Sequence, residues 1–268
     1  LGAEFKWRPR ADWVIDATLN PDFSQVELDA PQLAGNTRFA LSVPEKRAFF
    51  LESTDVIDLP IAGFYSRSVT DPSAGLRATW RAPQADATAL TLRDEGGGLV
   101  LRPAAFGTEV LAQDGASQAT LLRARRHHGA VTGGVLLSDR DYGDRGRNSL
   151  IGADVYWSPN AQDQFRARAL ASRTTAGFDS SGQGIQTRAD QGHWIELRWN
   201  RRNNDWIVNF DFDDLSPHFR NDNGFVDQAG VLVRHREVLR PALVEHLAGQ
   251  RHIERHLQRQ QGLRGLQA

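Results

Sequence analysis

Hydrophobic and polar residues alternate along many short runs of this chain, which is the period of a β-strand with two different faces. Residues 206–213 form the clearest run: Trp206, Val208, Phe210 and Phe212 share one face, and Ile, Asn, Asp and Asp share the other. Residues 164–169 repeat the scheme, with arginine on the polar face. The pattern predicts an all-β chain.

From residue 119 onward the runs are regular and are separated by turn-rich connections, so neighbouring strands are expected to pair. Strands are predicted at 119–126, 130–138, 149–157, 164–173, 193–200 and 206–214. Upstream, predicted strands lie at 4–7, 13–19, 61–69, 76–82, 87–93 and 99–102. The predicted fold class is an antiparallel up-and-down meander.

The predicted connections alternate between short and long. Short ones fall at 127–129, 158–163 and 201–205, and long ones at 139–148, 174–192 and 216–223. Successive connections of a meander lie at opposite ends, so all short turns share one end. This asymmetry is typical of an outer-membrane β-barrel, although periodicity alone favours a soluble β-sandwich.

Five tryptophans lie beside the predicted short turns: Trp7, Trp13, Trp157, Trp199 and Trp206. An aromatic belt at one bilayer interface would place them there. The alternative is a soluble β-sandwich with tryptophans in its core, because soluble meanders also alternate.

Composition narrows the function classes. Net charge is −1 with acidic and basic residues intermixed, so no nucleic-acid partner is expected. Cysteine is absent, which excludes disulfides and thiolate chemistry. No apolar run approaches the roughly 20 residues that a spanning helix needs, so any membrane contact would be made by strands.

The densest group of unusual short motifs lies within residues 17–52. Asn20-Pro21-Asp22 is predicted to end a strand, with Asn20 extended before proline. The segments NPDFSQVE (20–27), TRF (37–39), PEKR (44–47), FFLE (49–52) and FYSR (64–67) occur in this order.

These motifs resemble an outer-membrane β-barrel domain of unknown function that lies C-terminal to family 9 carbohydrate-binding modules in Gram-negative bacteria. The resemblance implies a fragment of a non-enzymatic outer-membrane protein that acts in glycan binding or uptake, with outer-membrane lipid and carbohydrate as partners. It also implies a structural or plugging signature loop within residues 20–60. Its residues are Asn20, Pro21, Asp22, Phe23, Gln25, Glu27, Arg38, Pro44, Glu45, Lys46, Arg47, Phe49, Phe50 and Glu52.

If this loop folds inward, its charges must be paired, because burying an unpaired charge is costly. Glu45 and Glu52 are expected to pair with Lys46, with Arg47, or with the strand arginines Arg166 and Arg168.

Other clusters are interpreted without catalysis, and we expect no catalytic residue, metal or cofactor. His127 and His128 are adjacent, so on a strand they point to opposite faces, and a turn position is preferred. Residues 139–144 alternate carboxylates around a glycine but lack a calcium loop's distal glutamate, so a solvated hairpin loop is favoured. Asp211, Asp213 and Asp214 are interpreted as lumen-lining acids, with a pair of carboxylates for glycoside hydrolysis as the alternative.

The pattern changes near residue 231. Residues 231–268 are rich in Arg, Gln, His and Leu with partly helical spacing, and no aromatic residue follows Phe225. We predict a partial barrel domain at 1–230 and an atypical helical or disordered tail at 231–268. The alternative function is a soluble β-rich carbohydrate-active enzyme or carbohydrate-binding module.

Overall fold

The computed structural model describes residues 2–21, 47–52, 54–57, 63–97, 99–113, 115–178, 183–226 and 228–239. Most of these residues are in β-strands. The strands are β1 Ala3–Trp7, β2 Trp13–Leu19, β3 Pro72–Ala82, β4 Ala85–Asp94, β5 Leu99–Ala104, β6 Gly107–Ala112, β7 Ser117–His128, β8 Val131–Asp141, β9 Arg147–Trp157, β10 Asp163–Phe178, β11 Gly184–Arg202, β12 Ile207–Leu215 and β13 Val231–Leu239. Helical turns are short: α1 Ala48–Leu51, α2 Thr54–Ile57, and 3-10 helices at Ser66–Ser68 and Gly143–Arg145.

Eleven strands form one antiparallel sheet in the order β1-β2-β3-β4-β7-β8-β9-β10-β11-β12-β13, and β5 pairs with β6 in a separate hairpin. The predicted up-and-down meander is therefore confirmed. In the part of the chain that the structure describes, β1 and β13 are the two edges of this sheet.

The turns at one end of the sheet are all short, as predicted. β7 joins β8 through Gly129 and Ala130 alone, and Gly129 has a φ of 55°, a left-handed conformation that costs glycine little. The opposite end carries the long connections, including the β5–β6 hairpin. β2 ends at Leu19 as predicted, but Asn20 is left-handed (φ 40°) rather than extended, a conformation that asparagine tolerates well.

Two predicted long connections and one predicted strand differ from the structure. Where a long loop is expected at 139–148, only residues 142–146 separate β8 from β9, so this connection is no longer than the turn at 158–162. The loop expected at 174–192 is largely a continuation of β10 and β11, whose pairing runs past a bulge at Thr174 to Phe178 opposite Gly184. The strand expected at 61–69 is also wrong where the structure describes it, since residues 66–68 form a 3-10 helix.

Burial divides the sheet into two unlike faces. The inner face is covered by loop segments and carries buried polar side chains: Asp16, Arg77, Asp94, Arg123, Arg140, Asn148, Arg168 and Glu196. The outer face carries exposed apolar side chains: Leu76, Leu122, Val135, Leu137, Ile151, Val155, Trp157, Ile195, Leu197 and Phe210. This arrangement inverts the usual rule for a protein in water.

Apolar side chains on the inner face lie in the half nearer the long loops. Leu90, Leu92, Leu121, Leu136, Leu150 and Leu170 pack there against Phe49, Phe50, Phe219 and Val226 from the loops. The loops are therefore held inward by a hydrophobic contact as well as by charge.

The boundary predicted at residue 231 is not where the sheet ends. Val231–Leu239 pairs with β12 along its whole length, because an edge strand offers backbone partners whatever the side-chain pattern. Arg234 and Arg236 lie opposite Phe212 and Phe210 on the outer face. The apolar pattern thus breaks near residue 231 while the sheet continues; residues 240–268 lie outside the described part.

None of the helices in the described ranges is long and apolar enough to cross a membrane.

Candidate functional site

The candidate site is the inner face of the sheet together with two loop segments that pack onto it. The first inner segment comprises the described residues between 47 and 71, and the second comprises residues 216–226. Among the signature-loop residues, Asp22, Phe23, Gln25, Glu27, Arg38, Pro44, Glu45 and Lys46 lie outside the described residues.

Arg47 organises the first inner segment. Its Nη1 donates to the carbonyl of Val69 at 2.7 Å and its Nη2 to the carbonyl of Ser66 at 2.8 Å. The guanidinium carbon lies 4.2 Å from the centre of the Phe50 ring. One buried side chain thus ties the helical turn at 48–51 to the 3-10 helix at 66–68.

Arg77 on β3 attaches the same segment to the sheet, a role that is not among the predictions from sequence. Its Nη1 donates to the carbonyl of Phe49 at 2.5 Å, and its Nη2 donates to Asp16 on β2 at 3.0 Å. The guanidinium carbon is also 4.9 Å from the Phe49 ring centre. In the sequence, Arg77 alternates with the outward residues of β3, and this is the pattern that indicates its inward position.

The predicted partners of Glu52 are wrong. Glu52 accepts a hydrogen bond from Lys6 on β1 at 2.6 Å, which lowers the pKa of the Glu52 carboxyl, with partial burial opposing the shift. Arg168 pairs with Glu196 at 2.8 Å instead. The segment folds next to β1 and β3, so β10 is not its nearest source of charge.

The second inner segment carries four consecutive polar residues that lie buried against the sheet: Arg220, Asn221, Asp222 and Asn223. Arg220 donates to Asp222 at 2.5 and 2.9 Å, and the Tyr142 hydroxyl donates to the same carboxylate at 2.8 Å. Burial raises the pKa of the Tyr142 phenol, and the Asp222 charge adds to the rise. The phenol therefore stays protonated and remains a donor.

Asn148 and Asn223 fix the backbone of this segment. The Asn148 amide donates to Thr174 at 2.7 Å and its oxygen accepts from the backbone N–H of Asp222 at 2.9 Å. The side-chain amide of Asn223 donates to Ser138 at 3.0 Å, and the backbone carbonyl of Asn223 accepts from the backbone N–H of Tyr65 at 2.7 Å. The two inner segments therefore touch each other.

A buried ion pair lies beneath both segments. Arg140 on β8 donates to Asp94 on β4 at 2.5 Å and to the Gln113 side chain at 2.9 Å. Arg140 is 1% exposed and Asp94 is 0% exposed, so neither charge is compensated by solvent. Arg140 Nη1 also donates to the side-chain oxygen of Asn223 at 3.5 Å.

Further charges line the inner face toward the short turns, and most are paired across strands. Arg123 donates to Asp154 at 2.6 and 2.9 Å, and Arg125 donates to Asp86 at 2.8 and 2.7 Å. These are bidentate pairs, the strongest geometry for a guanidinium and a carboxylate. The lining is therefore polar but close to electrically balanced.

Asp211 and Asp213 lie on the inner side of β12 near Arg198, whose nitrogens are 3.4 and 3.8 Å from their carboxylates. Asp214 lies on the outer side of the same strand, 3.3 Å from His193, so the prediction that it lines the inner side is wrong. In the described ranges, no three histidine, aspartate or glutamate side chains are grouped as a metal site would require.

The remaining predicted clusters have structural partners. His127 and His128 lie at the end of β7 and not in the turn. His127 is within 3.2 Å of Asp86 and 3.0 Å of Thr132. Asp141, in the segment weighed as a calcium loop, accepts from the Gly143 backbone N–H at 2.8 Å and contacts Arg147.

Trp7, Trp13, Trp157, Trp199 and Trp206 all lie at the short-turn end. Trp157, Phe165 and Trp199 form an outward-facing stack, with ring centroids 4.9 and 5.9 Å apart. Trp80, which is not among the predicted interface tryptophans, pairs directly with Trp13 across β2 and β3. Its position close to the two-residue turn at 83–84 is the sequence feature that indicates its place at this end of the sheet.

Arg47→Ala is expected to loosen the first inner segment without unfolding the sheet. The change removes two charge-assisted hydrogen bonds and a contact with Phe50, a local loss of about 2–4 kcal/mol. Limited proteolysis of the folded protein should then cut within residues 47–71 at least tenfold faster. The cleavage rate of Arg47→Lys, whose side chain cannot reach both carbonyls, should lie between those of the parent protein and Arg47→Ala. Equal cleavage rates of all three proteins would refute this anchoring role.

Acid should release Glu52 from Lys6. The folded-state pKa of Glu52 lies below its ordinary value of 4.5, so the pair stabilises the segment above that pH and is lost as pH falls through the folded-state pKa. Protease cleavage at 47–57 should rise below about pH 4.5, and Glu52→Gln should flatten that rise. Because both side chains are partly exposed, a small effect is expected.

Comparisons with curated proteins and with solved structures found no match to the chain. A family model does match: residues 1–85 fit the one described as Domain of unknown function (DUF5916). The matched region includes β1, β2, β3 and the first inner segment, so the chain is similar to that family in the part that folds inward against Arg77.

Proposed function

We propose that this chain forms part of the wall of a bacterial outer-membrane β-barrel, with its inner segments as a plug, and that the protein binds or takes up glycans at the cell surface. The proposed role is non-enzymatic. The observation that carries it is the inverted burial of the sheet.

Side chains that would be buried in water are exposed here. Val135 is 50% exposed and Ile151 is 60% exposed, whereas Arg123 and Arg140 are each 1% exposed. A wall between lipid and a polar interior requires this distribution, because the lipid face needs no polar group and the interior must pair its charges.

The apolar part of the outer face has the height of a bilayer. At its upper edge a row of paired residues is polar: Thr120, Asp139, Ser149, Arg173 and Gln191. At its lower edge the row is Val131, Trp157, Phe165, Trp199 and Phe210. Eight residues of β8 separate these rows, about 27 Å along the strand and about 22 Å upright at a tilt near 35°, close to the apolar band of about 25 Å in such barrels.

The tryptophans support the same tilt. The partners of Trp7, followed strand by strand from β1, lead over six steps to Ile151 on β9. Trp157 lies six residues further along β9. One residue of stagger per strand corresponds to a tilt of about 35°, within the range of outer-membrane strands. Indole rings that follow this slope would lie in one plane at the membrane surface.

A soluble carbohydrate-binding module is the second candidate. Trp157, Phe165 and Trp199 together present aromatic side chains on the outer face, and sugar rings bind to aromatic side chains, so this observation favours it. In that case the apolar outer face would have to be covered by another protein surface.

Two measurements separate the candidates. A membrane barrel should fractionate with outer membranes and run as a heat-modifiable band after mild detergent treatment. A soluble module should stay in solution without detergent and change its tryptophan fluorescence on adding saccharide. Solubility at high concentration without detergent would refute the barrel proposal.

A further inference from the structure

A groove with a volume of about 830 Å³ crosses the outer face from β7 to β11, at the edge near the long loops. Its floor is formed by outward apolar side chains: Leu122, Leu137, Ile151 and Ala171. Its rim toward the loops is the polar row that contains Asp139, Ser149, Arg173 and Gln191. The volume is that of a site for a small amphiphilic molecule.

The depth of the groove arises from a small residue in the middle of large ones. The small outward residue is Ala171, which pairs with the larger Ile151 on one side and His193 on the other. A wall that contacts lipid tails cannot leave such a space empty, because unfilled contacts forfeit dispersion energy. A tail of the surrounding lipid is the nearest material that fits an apolar floor.

The charges at the rim are paired, with one exception among the described residues. Asp139 accepts from Ser149 at 2.6 Å and lies 3.6 Å from Arg147. His193 lies 3.3 Å from Asp214. Arg173 is exposed, and its side chain has no ion pair or hydrogen bond within the described ranges. The rim therefore carries one uncompensated positive charge, between the polar side chains of Ser149 and Gln191.

We infer that this groove binds one membrane lipid with an anionic phosphate headgroup, its tail on Ile151 and Ala171 and its phosphate on Arg173. The inference rests on the proposed membrane location and adds a defined partner to it. A guanidinium and a phosphate form strong charge-assisted hydrogen bonds, and the adjacent Gln191 amide supplies a further donor. A free anion would leave the apolar floor unfilled, and a sugar would find no aromatic ring there.

Native mass spectrometry of the full chain in detergent tests this with dioleoyl phosphatidylglycerol, dioleoyl phosphatidylcholine and inorganic phosphate as probes. One phosphatidylglycerol should bind per chain about tenfold more tightly than phosphatidylcholine, because the choline cation of phosphatidylcholine neutralises its own phosphate and is repelled by Arg173. Inorganic phosphate alone should not compete. Arg173→Gln should abolish the preference, whereas Arg173→Lys should keep most of it.

Ala171→Trp fills the groove and should weaken both lipids at least tenfold. Ala167→Trp, on the same strand and face but away from the groove, is the matched control and should bind like the parent protein. Equal affinity of the parent protein for the two lipids would overturn the inference, and so would a preference that survives Arg173→Gln. Both outcomes are distinct from failure of the barrel proposal, which would appear as loss of heat-modifiability in the parent protein itself.

Discussion

Val135→Arg is expected to lower the free energy of unfolding in lipid bilayers by about 2–4 kcal/mol, the cost of arginine on a lipid-facing strand near the bilayer midplane. Val135 lies on β8 midway between the polar row through Asp139 and the aromatic row through Val131. Its side chain points outward and is 50% exposed. Urea titration of the protein folded into phospholipid vesicles measures the change.

The same substitution tests whether lipid or water contacts the outer face of the sheet. At an exposed position of a soluble protein, the change in unfolding free energy is usually within about 0.5 kcal/mol. Asn204→Arg, in the exposed short turn between β11 and β12, is the matched control and should have little effect in vesicles. If Val135→Arg were equally silent, the outer face of β8 would not be in contact with lipid.

Arg140→Met is expected to cost about 3–5 kcal/mol, because it leaves a buried carboxylate without its cation. Asp94 is fully buried and accepts from Arg140 at 2.5 Å, and methionine replaces only the apolar part of the lost side chain. Arg140 also contacts Asn223, so cleavage of the second inner segment by protease should accelerate in parallel with the loss of stability.

Two further variants separate charge pairing from packing. Replacing both partners, Arg140→Met with Asp94→Leu, should recover much of the loss, since no unpaired buried charge remains. Arg93→Ala removes an exposed pair with Glu95, whose atoms are 3.4 Å apart, and should cost less than about 1 kcal/mol. A loss below about 1 kcal/mol for Arg140→Met alone would contradict the stabilising role of this ion pair.

The inner segments are attached to the sheet at two separate strands. Arg77 and Arg140 each join an inner segment to the sheet, at β3 and β8 respectively. Inner segments held by such contacts can move only if their buried charges find new partners. If the proposed plug role holds, a ligand that enters from the long-loop end has to compete for the contacts of Arg140 and Asp222.

The β-strands could be predicted because alternation is a local property of the chain. The six strands predicted after residue 119 all exist, and each extends beyond or close to its predicted ends. Residues 174–178 and 184–192 belong to a predicted loop, yet backbone pairing between two adjacent strands continues through most of them. Residues 66–68 belong to a predicted strand, but they form a 3-10 turn in which the Ser66 carbonyl accepts a hydrogen bond from Arg47.

Side-chain pairs of the site were not predictable in the same way. Glu52 was expected to reach Arg47 or the arginines of β10, and it pairs with Lys6. Arg77, Arg140, Asp94 and Asp222 were not singled out at all. The inner partners of Asp94 come from residues 19 to 46 positions away, and such contacts depend on how strands stack and not on sequence spacing.

By itself the sequence determined the two faces of each strand, the short connections at one end of the sheet, and the grouping of five tryptophans near them. These follow from the two-residue period of the strand and from turn chemistry, which act within a few residues. Only the tertiary structure decided which face is covered, where the inner segments bind, and that the sheet extends through β13. Those outcomes depend on contacts between residues that are far apart in the sequence. Arg140 and Asp94, for example, form a buried ion pair only because β8 and β4 place them on the same inner face.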